Sequence, residues 1–478
     1  MTTRRHFLIG LAGIASAIGV AKLRCQERPN IIFIMLDDLG KEWVGCYGSQ
    51  AGLTPNADSL AAQGMKFDNV YSLPVCVPTR TTFLTGQYPA RHGWKINWNA
   101  PFYGIGYFDP AFYPSIARIL RGAGYATAAA GKWQLNDFRV HPDVLDKLGF
   151  DAYCMWTGLE RGNLRSSRER YWNPYVHTKK GSAIRKGKFG EDVFVDFFIR
   201  FMARHKDQPI MLYYPMCLPH SPLVSTPLDP DVRAENDRRT AMINYADFKL
   251  GQIIEALDSL GIRDKTMIVW TSDNGSPAEA TTALDGRSVS GGKGTLRERG
   301  INVPFIVSCP NMVPAGVTSD ALIDFTDLLP TFAELAEGQP GDAVLDGQSF
   351  AGHLLGLDND GPRRWIMSMG ASEARLSPES RLVPATPYSE RVVRDKRYKL
   401  WIGEDRRSWK LIDLATDPDE SNDLLDSREP EHRRARAQLE RVVQGFSEDD
   451  AAPRYEPLPA QPWDLPAEEA IRRFNQPE

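Results

Sequence analysis

Seven consecutive residues, Asn30-Ile-Ile-Phe-Ile-Met-Leu36, form a continuous apolar run that stops abruptly at Asp37-Asp38. A strand with one wet face alternates apolar and polar residues. A run without alternation therefore predicts a strand covered on both sides, as in a parallel sheet held between helical layers. Similar runs lie at 125–130, 209–214, 266–270 and 304–308, with helical periodicity at 115–122, 191–205 and 240–260. Thr54-Pro55 opens another helix through Ala62, with threonine as N-cap and proline in the first helical position. Strands alternating with helices give an α/β fold, a large mixed and mostly parallel sheet sandwiched by helices.

The texture changes after about residue 360. The segments 391–401 and 409–414 read as short strands joined by a polar turn, 416–420 as a turn, and 430–446 as a charged amphipathic helix. We expect a catalytic unit over 28–360 and a smaller subdomain over 361–450, a short antiparallel sheet with one helix. An irregular tail over 451–478 completes the chain. With 478 residues, 42% of them hydrophobic, the chain has ample material for such a core. A net charge of −4 provides no field that would recruit nucleic acid. The six cysteines (25, 46, 76, 154, 217, 309) are dispersed without zinc-like spacing and predict no disulfide framework.

Residues 1–24 read as an export signal rather than as fold. Arg4-Arg5 precedes an apolar, small-residue run from Phe7 to Ala21 that is too short to span a membrane in the mature chain. Paired arginines before Phe7-Leu8 fit the twin-arginine pathway, which implies that export machinery as a partner and a periplasmic or secreted bacterial location. No later segment is long and apolar enough to be transmembrane.

Three loops carry residues suited to chemistry. Asp37-Asp38 follows the first strand, and Asp273-Asn274 follows the strand at 266–270. Ligands bind at the carboxyl ends of strands in open α/β sheets, so the two loops can converge. Three carboxylates and an amide oxygen make a hard, all-oxygen set suited to Ca²⁺ or Mg²⁺ and poorly to zinc. Cys76-Val-Pro-Thr-Arg80, followed by Leu84-Thr85-Gly86, places a cysteine where a helix opens, with Arg80 one turn on along the same face. Lys132 and Lys293 sit in glycine-flanked loops that allow close approach to a ligand, and His220 lies between two prolines.

With Gly124-Tyr125-x-Thr127, Gly131-Lys132-Trp133, Pro219-His220-x-Pro222, Gly291-Gly292-Lys293-Gly294, Asp327-Leu-Leu-Pro330 and Asp346-Gly347, these motifs resemble a type I sulfatase of the alkaline phosphatase superfamily. In order they cover nearly all of 28–425. The resemblance implies that a formylglycine-generating maturation enzyme oxidises Cys76 to 3-oxoalanine (formylglycine), whose hydrated aldehyde attacks sulfur. A geminal diol can collapse after transfer and expel sulfate, which a serine ester cannot. Asp37, Asp38, Asp273 and Asn274, together with the modified residue 76, would surround a divalent cation, Ca²⁺ before Mg²⁺. Arg80 would stabilise the hydrate, Lys132 and Lys293 the sulfuryl charge, and His220 would serve as general acid. One position departs from the pattern. Gln134 stands where the family usually has histidine, and an amide can hydrogen-bond the hydrate but cannot take its proton.

Between 157 and 190, nine basic residues (161, 165, 168, 170, 179, 180, 185, 186, 188) face two acidic ones, with Tyr171 and Trp172 among them. The expected substrate is a sulfated glycan, its sugar faces stacking on those rings. Two alternatives stay open: a phosphonate or phosphate monoester hydrolase of the same superfamily, and a catalytically silent sulfated-glycan-binding protein.

Overall fold

The computed structural model describes residues 28–464 apart from 96–106, 159, 161–168, 285, 373 and 378–381, together with 466, 468, 469 and 472. The expected export signal over residues 1–24 lies outside the described residues, and so does Cys25. The other five cysteines are free. No described helix is long and apolar enough to cross a membrane.

The first apolar run is strand β1 (Asn30–Leu36), and its side chains divide between two cores. Ile31, Phe33 and Met35 enter one hydrophobic layer, whereas Ile32, Ile34 and Leu36 enter the other. Both faces are dry, which is why the run tolerates no alternation. Further strands are β2 (Met65–Tyr71), β3 (Ala126–Lys132), β4 (Ala152–Trp156), β5 (Tyr175–Thr178), β6 (Gly181–Ile184), β7 (Ile210–Pro215) and β8 (Thr266–Ser272). A hairpin, β9 (Thr281–Leu284) and β10 (Arg287–Ser290), precedes β11 (Phe305–Ser308) and β12 (Val317–Asp324). Ten of these strands form one sheet in the order β12-β2-β11-β8-β1-β7-β3-β4-β5-β6. The central block β8-β1-β7-β3-β4 is parallel. The expected strand at 304–308 is present as β11 but runs antiparallel to its neighbours.

Helices α1 (Pro55–Ala62), α4 (Gly190–His205) and α5 (Glu235–Ser259) cover one face, while α2 (Cys76–Thr85), α3 (Ile116–Gly122) and α6 (Leu328–Leu335) cover the other. Helix α1 begins at Pro55 as expected, but Thr54 is not what satisfies its first amides. Buried Asp247 on α5 does so. Its Oδ2 accepts the Asn56 N–H at 2.9 Å and its Oδ1 accepts the Ala57 N–H at 2.8 Å. Asp247→Ala should destabilise the fold by about 2 kcal/mol, because two helix-end donors lose a charged acceptor. A lower urea midpoint at unchanged m-value would register that loss.

The second unit is a sheet of four antiparallel strands, β13 (Ile366–Met369), β16 (Arg391–Arg394), β17 (Tyr398–Ile402) and β18 (Ser408–Asp413), closed by α7 (Pro430–Gln444). A separate two-stranded pair, β14 (Ala374–Leu376) with β15 (Leu382–Pro384), lies between β13 and β16 in the chain. The run 391–401 is therefore two strands, not the single strand expected. It breaks at Asp395, whose Oδ1 accepts the N–H groups of Arg397 (2.8 Å) and Tyr398 (2.7 Å) and folds the chain back. Buried Arg363 ties this unit to the first, donating from Nε to Asp327 Oδ2 at 2.6 Å. Residues 451–460 have no regular structure and run along the larger unit, with the Ala451 N–H on Ala90 O and the Arg454 N–H on the Tyr113 hydroxyl.

The basic segment also differs from an irregular loop. Lys179, Lys180, Arg185 and Lys186 belong to or flank the β5–β6 hairpin, which extends the sheet at its edge. Arg161, Arg165 and Arg168 lie outside the described residues. Tyr171 is buried, its hydroxyl donating to Cys217 O, so its ring is not a sugar platform. Trp172 keeps 37% of its surface exposed and retains that option.

Candidate active site

Parallel neighbours deliver their carboxyl ends to one edge, and here four of them do so side by side. Asp37 and Asp38 follow β1, Asp273 and Asn274 follow β8, Lys132 ends β3, and His220 stands on the loop after β7. Cys76 is the first residue of α2, and Lys293 lies on the glycine-rich turn after β10. Gly131 has φ of 123°, and a Cβ there would sit 2.0 Å from the Pro215 carbonyl oxygen. Only glycine lets β3 turn so close to β7 and present Lys132.

The groups meet at short range. Asp37 Oδ1 accepts from Cys76 Sγ at 3.3 Å, while its Oδ2 holds Lys132 Nζ at 2.5 Å. Asp38 Oδ2 holds Lys293 Nζ at 2.8 Å and lies 3.6 Å from His220 Nε2. Asp273 Oδ2 takes Arg80 Nη2 at 2.6 Å, and its Oδ1 accepts the Asp38 N–H at 3.2 Å. Asn274 Nδ2 donates to Asp38 Oδ1 at 2.8 Å. Ligand atoms of Asp37, Asp38, Cys76 and His220 all fall within 4.8 Å of one another. Asn274 Oδ1, buried, has no donor among the described residues. A hard cation between these loops would give that oxygen its missing partner and relieve the packed carboxylates, so the donor set fits Ca²⁺ or Mg²⁺.

Burial alone would raise every carboxyl here, yet Asp37 is held well below the ordinary range by Lys132, His220, Arg80 and Lys293. Asp273 goes the other way, to about 7, under burial and the Asp37 charge. The Cys76 thiol is pushed far up by burial and then by Asp273 and Asp37. Its helix N-terminus does not make it a thiolate. His220 is pulled down by burial, against the pull of Asp38. Lys293 Nζ lies 3.4 Å from His220 Nε2, and Nδ1 lies 2.7 Å from the Ser221 carbonyl oxygen and 3.0 Å from Arg170 Nη2.

Gln134 lies two residues beyond Lys132, half-buried, with φ of 55°. Its side chain makes no hydrogen bond among the described residues, so nothing ties it to this centre. Sequence reasoning missed Ser272 and Ser276, whose hydroxyls accept the N–H groups of Leu39 (3.0 Å) and Gly40 (2.8 Å) and lock the acidic loop. Their bracketing of Asp273-Asn274 was the available signal. It also missed Glu191, which accepts the Cys217 N–H at 2.9 Å and steadies the loop of His220. Arg170, read as part of a glycan-binding surface, is instead buried beside His220.

Residues 29–338 match the family model described as Sulfatase, and residues 292–448 match one described as N-sulphoglucosamine sulphohydrolase, C-terminal. The chain is 30% identical over 371 residues to N-acetylgalactosamine-6-sulfatase of Canis lupus familiaris, covering 72% of this chain and 69% of that protein. It is 28% identical over 468 residues to N-acetylgalactosamine-6-O-sulfatase of Bacteroides thetaiotaomicron, covering 84% and 90%. The crystal structure of Ps i-CgsB in complex with k-i-k-neocarrahexaose superposes with a TM-score of 0.72 at 25% identity, covering 90% of this chain and 95% of that one. With the acidic strand ends, the cysteine helix and a family match across most of its length, this chain belongs to the sulfatase family and is a sulfuric ester hydrolase.

Proposed function

We propose that the protein removes sulfate from a sulfated carbohydrate, with Cys76 oxidised to 3-oxoalanine and one Ca²⁺ held by Asp37, Asp38, Asp273 and Asn274. The single observation that carries this reading is the meeting of Cys76 Sγ with Asp37 at 3.3 Å inside a cluster of three carboxylates and three cations. When present, the cation polarises a sulfate oxygen and the oxidised residue 76 supplies the attacking hydroxyl.

The chain's own residues do the rest. Arg80, anchored on Asp273, stands one helical turn from residue 76 and holds its oxygen in place. Lys132 and Lys293 balance Asp37 and Asp38 and offer their remaining N–H groups to the sulfuryl oxygens. Lys293 and His220, whose Nζ and Nε2 lie 3.4 Å apart, together supply the proton to the departing alcohol. Gln134 serves at most as an orienting group, because an amide takes no proton. Complete burial of Asp37, Asp38 and Asp273 keeps bulk water from screening these charges.

Support for a sugar substrate comes from the likeness to the N-acetylgalactosamine sulfatases and to the structure bound to neocarrahexaose. The reading includes a catalytic unit over 28–360, a subdomain over 361–450, maturation by a formylglycine-generating enzyme, and twin-arginine export. Parallel assays on p-nitrophenyl sulfate, p-nitrophenyl phosphate and a sulfated hexosamine test it. Sulfate release from the first and third, with phosphate release at least about 100-fold slower, is the expected pattern. Faster phosphate release would favour the monoester hydrolase, and no turnover of any ester the binding protein.

A further inference from the structure

Arg80, Lys132 and Lys293 each rest against a carboxylate, at 2.6, 2.5 and 2.8 Å. Arg170 has no such partner among the described residues, although only 9% of it is exposed. Its guanidinium lies over the rings of Trp156 at 4.7 Å and Tyr171 at 5.3 Å, so its position is set by packing. Nη2 lies 3.0 Å from His220 Nδ1, a contact between two nitrogens that brings the guanidinium no negative charge. Arg170 Nε is also buried without an acceptor. The result is a rigid, donor-only cation with no ion-pair partner among the described residues, a costly arrangement unless a ligand completes it.

Its place says which part of a ligand. Nε2 of His220 lies 3.6 Å from Asp38 Oδ2 while Arg170 meets Nδ1 across the ring, so Arg170 stands on the side of His220 that a leaving sugar would occupy if His220 assists its departure. A planar guanidinium suits a carboxylate or a sulfate bound through two N–H groups. Building on the sulfatase reading above, we propose that Arg170 is a specificity-determining residue that binds a second anionic group on the leaving sugar. That group is either another sulfate on the same ring or the carboxylate of a linked uronic acid.

The test compares kcat/KM for three substrates: a hexosamine with one sulfate, the same hexosamine with two, and a monosulfated hexosamine linked to a uronic acid. Wild-type enzyme should prefer at least one of the two doubly anionic sugars by about 10- to 100-fold, and which one it prefers identifies the anion. Arg170→Gln should bring that ratio close to one, mainly through KM, with Arg170→Lys intermediate. Equal losses on all three substrates would mean that Arg170 acts only through His220, and would overturn the proposal. So would a wild-type enzyme that hydrolyses p-nitrophenyl sulfate yet shows no preference among the sugars, an outcome readable even if the variant does not fold. Failure to release sulfate from p-nitrophenyl sulfate as well would instead sink the reading on which the proposal rests.

Discussion

Cys76→Ala is expected to lower kcat/KM for any sulfate ester by about 10⁴-fold or more, with the fold unchanged by circular dichroism. The loss is large because no neighbouring group can stand in. Asp37, Asp38 and Asp273 are engaged by Lys132, Lys293 and Arg80, and His220 is turned toward Lys293. The environment of the thiol supports the proposed oxidation. Burial and the charges of Asp273 and Asp37 keep it protonated, and a protonated thiol is a poor nucleophile. Mass spectrometry of the peptide spanning residue 76 should therefore find the aldehyde in active preparations, in proportion to their specific activity. Full activity from protein carrying only the thiol would contradict this account.

Removing divalent cations is expected to cost roughly 10³-fold in turnover, with recovery on adding Ca²⁺ and weaker recovery on adding Mg²⁺. A second readout does not depend on turnover. A cation bound only by the folded state at about 100 times its Kd stabilises by about 2.7 kcal/mol, so the melting midpoint should fall by roughly 3 °C in chelator and return with Ca²⁺. The physical source is local. Three buried carboxylates crowd one site, burial and Asp37 push Asp273 up to about 7, and Asn274 Oδ1 has no donor among the described residues. Asn274→Ala should raise the Ca²⁺ concentration needed for a given thermal shift. A melting midpoint indifferent to Ca²⁺, or restored only by Zn²⁺, would show that these oxygens do not hold a hard cation.

Much of this was legible in the chain because the relevant physics is local. The run from Ile31 to Leu36 could only be a strand dry on both faces, and Asp37-Asp38 at its end marked the edge where a site would form. The same logic placed Asp273-Asn274. Position along the chain gave no access to contacts between distant segments. Thr54 has the right chemistry for a cap, yet Asp247, far along the chain on α5, takes the amides. The run 391–401 hid its break because Asp395 looks like any charged residue until its oxygen turns back on two N–H groups.

Composition could not single out Arg170, one basic residue among nine in a segment read as suited to a sulfated glycan. Nothing in that segment separates an exposed arginine from a buried one. Local order settled which residues are apolar in unbroken runs, where those runs end in acids, and where a cysteine opens a helix. Packing of remote segments decided which cation answers which carboxylate, that the unmodified Cys76 is held protonated rather than as thiolate, and that Arg170 has no ion-pair partner among the described residues. Charge pairing and desolvation depend on distances in space, and those exist only once the strands have been laid side by side.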